Sequence, residues 1–199
     1  ETRSVVATAT IGGAYMLMVA VVGVPFGTWV DRWRKKRVMV VATTVTAVAY
    51  TAAFGFFLVT PTRSLLEIGS LSFWVFVLLI LVGAIVESAR GITLSTCVTL
   101  LVPEERRANM NGLVGMVNGL GFAITSVFSG LAVGRLGMTW TMAIAVALTV
   151  VSLLHLLTVS VPEPEVLHAE DVPHAVGFRG AYLAVIAIPG LVGLILFAT

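Results

Sequence analysis

The chain has 199 residues, of which 58% are hydrophobic and only 11% are charged, and its mean hydropathy is +1.05. A soluble domain carries about 25% charged residues, so this chain lacks the polar surface that a water-soluble globule needs. Its single cysteine, Cys97, excludes a disulfide scaffold, and a net charge of +2 gives no reason to expect nucleic-acid binding. The composition therefore predicts an integral membrane protein.

Uncharged segments, taken in chain order, predict six transmembrane helices. Five segments of 20 to 27 residues contain no Asp, Glu, Lys or Arg, and one further apolar segment is interrupted only by Glu87 and Arg90. A bilayer core of about 30 Å requires about 20 helical residues, so every segment is long enough to cross it. The predicted spans are residues 4–30, 38–62, 68–101, 108–134, 136–162 and 180–199.

Most connections between these spans are short. Arg135, Leu136 and Gly137 predict a tight reversal between the fourth and fifth spans. Residues 162–179 contain three prolines and four acidic residues, which predicts a solvated linker. We therefore expect one bundle of helices over residues 1–161, the linker over 162–179 and the start of a second bundle over 180–199.

The distribution of Lys and Arg predicts the orientation in the membrane. Loops on one side carry eight of these residues and loops on the other side carry three, so the loop at residues 31–37 is expected to be cytoplasmic. This places the N-terminus outside the cell, although residues 1–4 do not form a cleavable signal. The chain also stops inside an apolar segment. We therefore expect a fragment of a larger protein whose first helix precedes residue 1.

A glycine, an acidic residue and several basic residues lie at the end of the first span. They resemble the cytoplasmic loop motif of the major facilitator superfamily, which has a glycine where this chain has Arg34. An acid at a helix C-terminus is unfavourable, because that end of the helix dipole is negative. The resemblance implies that the acid contacts the other half of the transporter and helps to close the cytoplasmic gate, whereas the basic residues could equally only fix topology and contact anionic lipid. The matching residues are Gly27, Asp31, Arg32, Lys35 and Lys36.

A second segment looks like part of the bacterial drug and siderophore exporters of this superfamily. Arg90 and residues 101–112 are similar to the region between their fourth and fifth helices, and the next helix is similar to their fifth-helix signature, with Thr125 and Ser126 in place of Gly-Pro. Small residues at helical spacing allow helices to pack closely, which is the simpler explanation of each glycine. The motif residues are Gly112, Gly121, Ser126 and Gly130.

Glu87 and Arg90 lie well inside the third span. Ionisable groups at such depth are costly and usually face a cavity or a partner. One hypothesis is that Glu87 takes up a proton or contacts a cationic substrate, with Arg90 controlling its protonation. The other is an ion pair along one helix face that only holds neighbouring helices together. His155, near the end of the fifth span, is expected to be an interfacial residue.

The resemblance implies an all-α integral membrane fold that contains helices 2–6 and the start of helix 7 of a twelve-helix transporter. It implies proton-coupled efflux of small amphipathic compounds through the plasma membrane by alternating access, with partners that comprise a small-molecule substrate, a proton, the lipid bilayer and the missing C-terminal half. No cofactor, metal ion or nucleic acid is expected. An enzyme is disfavoured, since the common nucleophile, metal and ATP motifs are lacking. A channel, a scaffold and a half-size transporter acting as a dimer are the alternatives.

Overall fold

The computed structural model describes residues 5–161, and within this range the chain forms helices and no strands. The all-α prediction is therefore confirmed for the described part of the chain. The predicted linker and the sixth span lie outside it. The helices are α1 (Val5–Arg32), α2 (Lys35–Val59), α3 (Thr62–Leu66), α4 (Leu71–Leu101) and α5 (Glu104–Thr158).

Three of these helices, α2, α4 and α5, are long and apolar enough to cross a membrane. A fourth span is formed by α1 if its two segments, Ala9–Gly23 and Pro25–Arg32, are taken together across a bend of 45°. Pro25 accounts for this bend, because proline has no N–H to donate and its ring clashes with the preceding helical turn.

The longest helix, α5, reverses direction at Gly137, whose backbone is not helical (φ 81°, ψ 172°). A straight helix of 55 residues would extend for about 82 Å. Both ends of α5 nevertheless lie at the same end of the bundle. Met110 lines a pocket with Val98, near the end of α4, and the carbonyl oxygen of Leu157 accepts a hydrogen bond from Lys36, in the first turn of α2. Since α2 and α4 run antiparallel, the start of α2 and the end of α4 lie at the same level of the bundle. The chain of α5 therefore makes two passes, which meet at the reversal expected for residues 135–137.

The core of the described bundle lies between α2 and α4, which share the most extensive helix–helix contact. Small residues dominate the buried face of α2, and small residues allow two helices to approach closely where lipid provides no hydrophobic driving force. α1 packs on the first half of α4 through Ala7, Phe73 and Val77. The buried residues of α2 are Val38, Ala42, Thr43, Thr46, Ala47, Ala49 and Ala53.

Replacing Gly137 with alanine tests the reversal in α5. A residue with a Cβ rarely adopts this backbone conformation, so Gly137→Ala is expected to destabilise the protein by about 1–3 kcal/mol. The effect is measured as a lower Tm of the purified full-length protein in detergent. Gly134→Ala is the matched control, because Gly134 is helical and no heavy atom lies within 4 Å of the position its Cβ would occupy. Equal melting temperatures for the two variants would contradict the reversal.

Candidate functional site

The loop motif places two consecutive lysines at the ends of two different helices. The connection between α1 and α2 consists only of Trp33 and Arg34. Lys35 Nζ donates hydrogen bonds to the carbonyl oxygens of Val30 at 2.6 Å and Asp31 at 3.3 Å. The last carbonyls of a helix lack intrahelical partners, and a cation there also complements the helix dipole. Lys35 therefore caps the C-terminus of α1.

Lys36 makes the equivalent contact with α5. Its Nζ donates a hydrogen bond to the carbonyl oxygen of Leu157 at 3.1 Å, in the last turn of that helix. The guanidinium of Arg37 lies 5.9 Å from the centre of the Trp33 ring, which is a cation–π contact. The basic residues of the loop thus join the ends of α1, α2 and α5, in addition to any contact they make with lipid.

Arg34 replaces the glycine of the superfamily motif without backbone strain. Its φ of −58° and ψ of 127° are accessible to any L-residue. Asp31 and Arg32 are exposed, and within residues 5–161 the carboxylate of Asp31 has neither a hydrogen bond nor an ion pair. No heavy atom lies within 4 Å of the position that a Cβ on Gly27 would occupy. The gating role of these residues stays a prediction.

The exporter-like residues Gly112, Gly121, Ser126 and Gly130 lie on the first pass of α5, where they are exposed. A Cβ on any of the three glycines would meet no heavy atom within 4 Å. No described helix packs closely on these positions, so their role in helix packing also stays a prediction.

Glu87 and Arg90 form an ion pair on α4 between Glu87 Oε1 and Arg90 Nε. The side chain of Glu87 is 30% exposed and that of Arg90 is 49% exposed. The second carboxylate oxygen of Glu87 accepts a hydrogen bond from Thr46 Oγ1 of α2 at 3.5 Å, and the same hydroxyl lies 3.1 Å from the carbonyl oxygen of Gly83. The carboxylate is therefore held by its own helix on one side and by α2 on the other.

This contact between α2 and α4 depends on the absence of a side chain at Gly83. A Cβ there would lie 2.5 Å from Cε1 and 2.9 Å from Cδ1 of Tyr50, so the tyrosine ring rests directly on the backbone of α4. The close approach brings Thr46 within reach of Glu87. Sequence reasoning missed Thr46, Tyr50 and Gly83, since nothing in the sequence states which face of α2 meets α4.

Glu87 and Arg90 face a cleft of about 470 Å³ between α2, α4 and the second pass of α5. Its polar wall comprises residues from α2 and α5 at helical spacing. The hydroxyl of Thr43 is buried there and has no hydrogen-bond partner among residues 5–161. His155, which is exposed in the last turn of α5, lines the same cleft, and its interfacial position stays a prediction. The polar residues from the two helices are Thr43, Thr46, Tyr50, Thr149, Ser152 and His155.

Metal binding finds no support in the described part of the chain. Across residues 5–161, no group of three or more His, Cys, Asp or Glu side chains is arranged to hold a metal ion. The groups that line the cleft comprise one carboxylate, one guanidinium, one imidazole and several hydroxyl groups, all of which can form hydrogen bonds.

Apolar helices of spanning length, with a charged pair facing a polar cleft between them, define a multi-pass helical membrane protein. The chain belongs to the Major Facilitator Superfamily, which it matches over residues 2–199. Members of this superfamily are membrane transporters, which agrees with the prediction that the chain is not an enzyme. Neither the curated proteins nor the solved structures gave a match to the chain.

Gly83→Ala tests the contact that positions Glu87. The added methyl group would overlap the ring of Tyr50, so we expect the variant to be less stable than the wild type by about 1–3 kcal/mol. The measurement is the Tm of the full-length protein in detergent. Gly55→Ala on α2 is the control, because a Cβ at Gly55 meets nothing within 4 Å. If Gly83→Ala melts at the same temperature as Gly55→Ala, the ring of Tyr50 moves aside without cost and the contact does not constrain the helices.

Proposed function

We propose that this chain is part of a proton-driven exporter of small amphipathic compounds in the plasma membrane, working by alternating access with a second bundle of helices. The observation that carries the proposal is the carboxylate of Glu87, which lies within a membrane-spanning helix, pairs with Arg90 and faces a polar cleft. The similarity of residues 101–112 and of the fifth-helix signature to bacterial drug and siderophore exporters supports export as the direction of transport.

Protonation of Glu87 would change the charge balance of α4. When ionised, the carboxylate of Glu87 accepts hydrogen bonds from both Arg90 and Thr46. Arg90 itself keeps its positive charge at any physiological pH. Proton uptake therefore leaves the charge of Arg90 without its counter-ion inside the membrane, which is costly. A conformation that supplies Arg90 with another partner, or with water, becomes more favourable. Protonation of Glu87 therefore favours one conformation over the other, and such a difference in free energy is required for a proton to shift a conformational equilibrium.

The ends of α1, α2 and α5 would move together during this change. Lys35 and Lys36 hydrogen-bond to the last carbonyls of α1 and α5 from the first turn of α2, so the three helix ends are tied to one another. Asp31 lies at the same end with its carboxylate exposed. We assign to Asp31 the contact with the second bundle, which would close the cytoplasmic side when the two bundles rock together. The substrate would bind between them near the middle of the membrane.

Glu87→Gln in the full-length protein, reconstituted into lipid vesicles, tests the coupling. An imposed pH gradient is expected to drive accumulation of ethidium or another cationic amphipathic dye by the wild type, and a protonophore is expected to abolish it. Glutamine keeps the size of the side chain and one acceptor oxygen but cannot take up a proton. The variant should therefore lose about tenfold or more of the gradient-driven rate.

The matched control for this test is Glu67→Gln. Glu67 also forms an ion pair with an arginine of its own segment, Arg63, but both side chains are largely exposed in the α3 region. This variant should transport as the wild type does. A Glu87→Gln protein that keeps both its rate and its dependence on the pH gradient would exclude the coupling role of Glu87. A wild type that lets the dye equilibrate without accumulation would instead favour a channel.

A further inference from the structure

The cleft beside Glu87 extends to the end of the bundle that carries the loop at residues 31–37, which is called the basic loop below. Its wall on α2 runs from Met39 to Tyr50, a distance of about 16 Å along the helix. The facing wall on α5 runs over the same number of residues, from Leu148 to Val159. Because the excess of Lys and Arg places the basic loop in the cytoplasm, the cleft leads from the level of Glu87 towards the cytoplasmic surface.

The hydroxyl of Thr43 indicates that water occupies this cleft. Thr43 is only 3% exposed, and its Oγ1 has no hydrogen-bond partner among the described residues. A buried hydroxyl without a partner is unfavourable, and such groups are generally satisfied by internal water. A polar cavity needs about 10–15 Å³ of water-accessible space to hold one water molecule, and the cleft provides about 470 Å³ with several other polar groups on its walls.

Several titratable groups meet in this space. Glu87 and Arg90 face it from α4, Tyr50 from α2 and His155 from α5. At the rim, Lys36 of α2 is bound to the carbonyl of Leu157, two residues beyond His155. From α1, Tyr15 lies within electrostatic range of Tyr50. Of these groups, the carboxylate of Glu87 and the neutral imidazole of His155 are the two that can accept a further proton.

We propose that the cleft is the cytoplasmic proton exit of the transporter, with His155 as the group that receives the proton released by Glu87. The proton passes through water held by the hydroxyls of Thr43 and Thr46, and the neutral imidazole becomes an imidazolium before it loses the proton to the cytoplasm. This inference rests on the proposed function, in which protons enter the cell as the exported compound leaves.

The charges in the cleft give this transfer a direction. Once Glu87 has lost its proton, its carboxylate pairs again with Arg90, which removes the cost of the unpaired guanidinium. Return of the proton from His155 to Glu87 would break this pair again and leave the guanidinium without its counter-ion. Release towards the cytoplasm is therefore favoured over return to Glu87.

His155→Gln and Thr43→Val test the exit path in the full-length protein reconstituted into vesicles. Both should slow pH-driven accumulation of ethidium by about tenfold or more, since each removes one step of proton transfer, and His155→Gln should also displace the pH profile of the rate. Exchange of ethidium at equal pH on both sides requires no net proton movement. It should proceed at the wild-type rate in both variants.

Thr44→Val is the matched control for Thr43→Val. Thr44 is the next residue of α2, its hydroxyl donates to the carbonyl of Val40 at 2.7 Å, and it does not line this cleft. Valine has nearly the size of threonine, and Thr43 Oγ1 bonds to no described residue, so Thr43→Val should fold as well as the control. A purely structural role for Thr43 would therefore leave proton-driven transport unchanged.

The outcomes separate this inference from the proposed function. If the wild type is driven by protons and Glu87 is required, but both His155→Gln and Thr43→Val keep the wild-type rate and pH profile, the exit path is wrong and the proposed function stands. If the wild type is not driven by protons at all, the proposed function fails and the exit path fails with it.

Discussion

The approach of α2 to α4 at Gly83 is the constraint on which the rest of the described structure depends. The ring of Tyr50 occupies the space that any larger residue at position 83 would fill, and this distance brings the hydroxyl of Thr46 to Glu87. If α2 lay further away, Arg90 on the same helix would be the only polar contact left to Glu87 among those described above. The floor of the cleft would also open, since Thr46, which is buried, contacts the carbonyl oxygen of Gly83 on α4.

A second set of contacts joins the helix ends at the loop between α1 and α2. Lysine side chains ordinarily contribute little at an exposed surface, but Lys35 and Lys36 are directed to carbonyl groups that have no other partner in their helices. The loop therefore has a structural role whatever it contacts in the membrane or in a second bundle. It also aligns the end of α5 with the start of α2, which sets the register of the two long walls of the cleft.

Much of the fold could be predicted from the sequence, because membrane-spanning helices are recognised by length and lack of charge alone. The reversal at Gly137 and the pairing of Glu87 with Arg90 are likewise local, since both depend on residues within a single turn. The cleft could not be predicted. Polar residues spaced along α2 and α5 define a face of each helix, but which faces meet depends on tertiary packing. His155 illustrates the limit, because the sequence does not show that a histidine near a span end lines a cleft until α5 is placed against α2.

The connection between α1 and α2 is so short that it determines the rotation of α2 about its own axis. Only Trp33 and Arg34 separate the two helices, and the first residue of α2 is already bound to the end of α1. One inserted residue would turn α2 by about 100° relative to that anchor, because a helix advances by 3.6 residues per turn. Thr46 and Tyr50 would then face away from α4. Surface loops normally tolerate changes in length, but here the number of residues matters more than their identity.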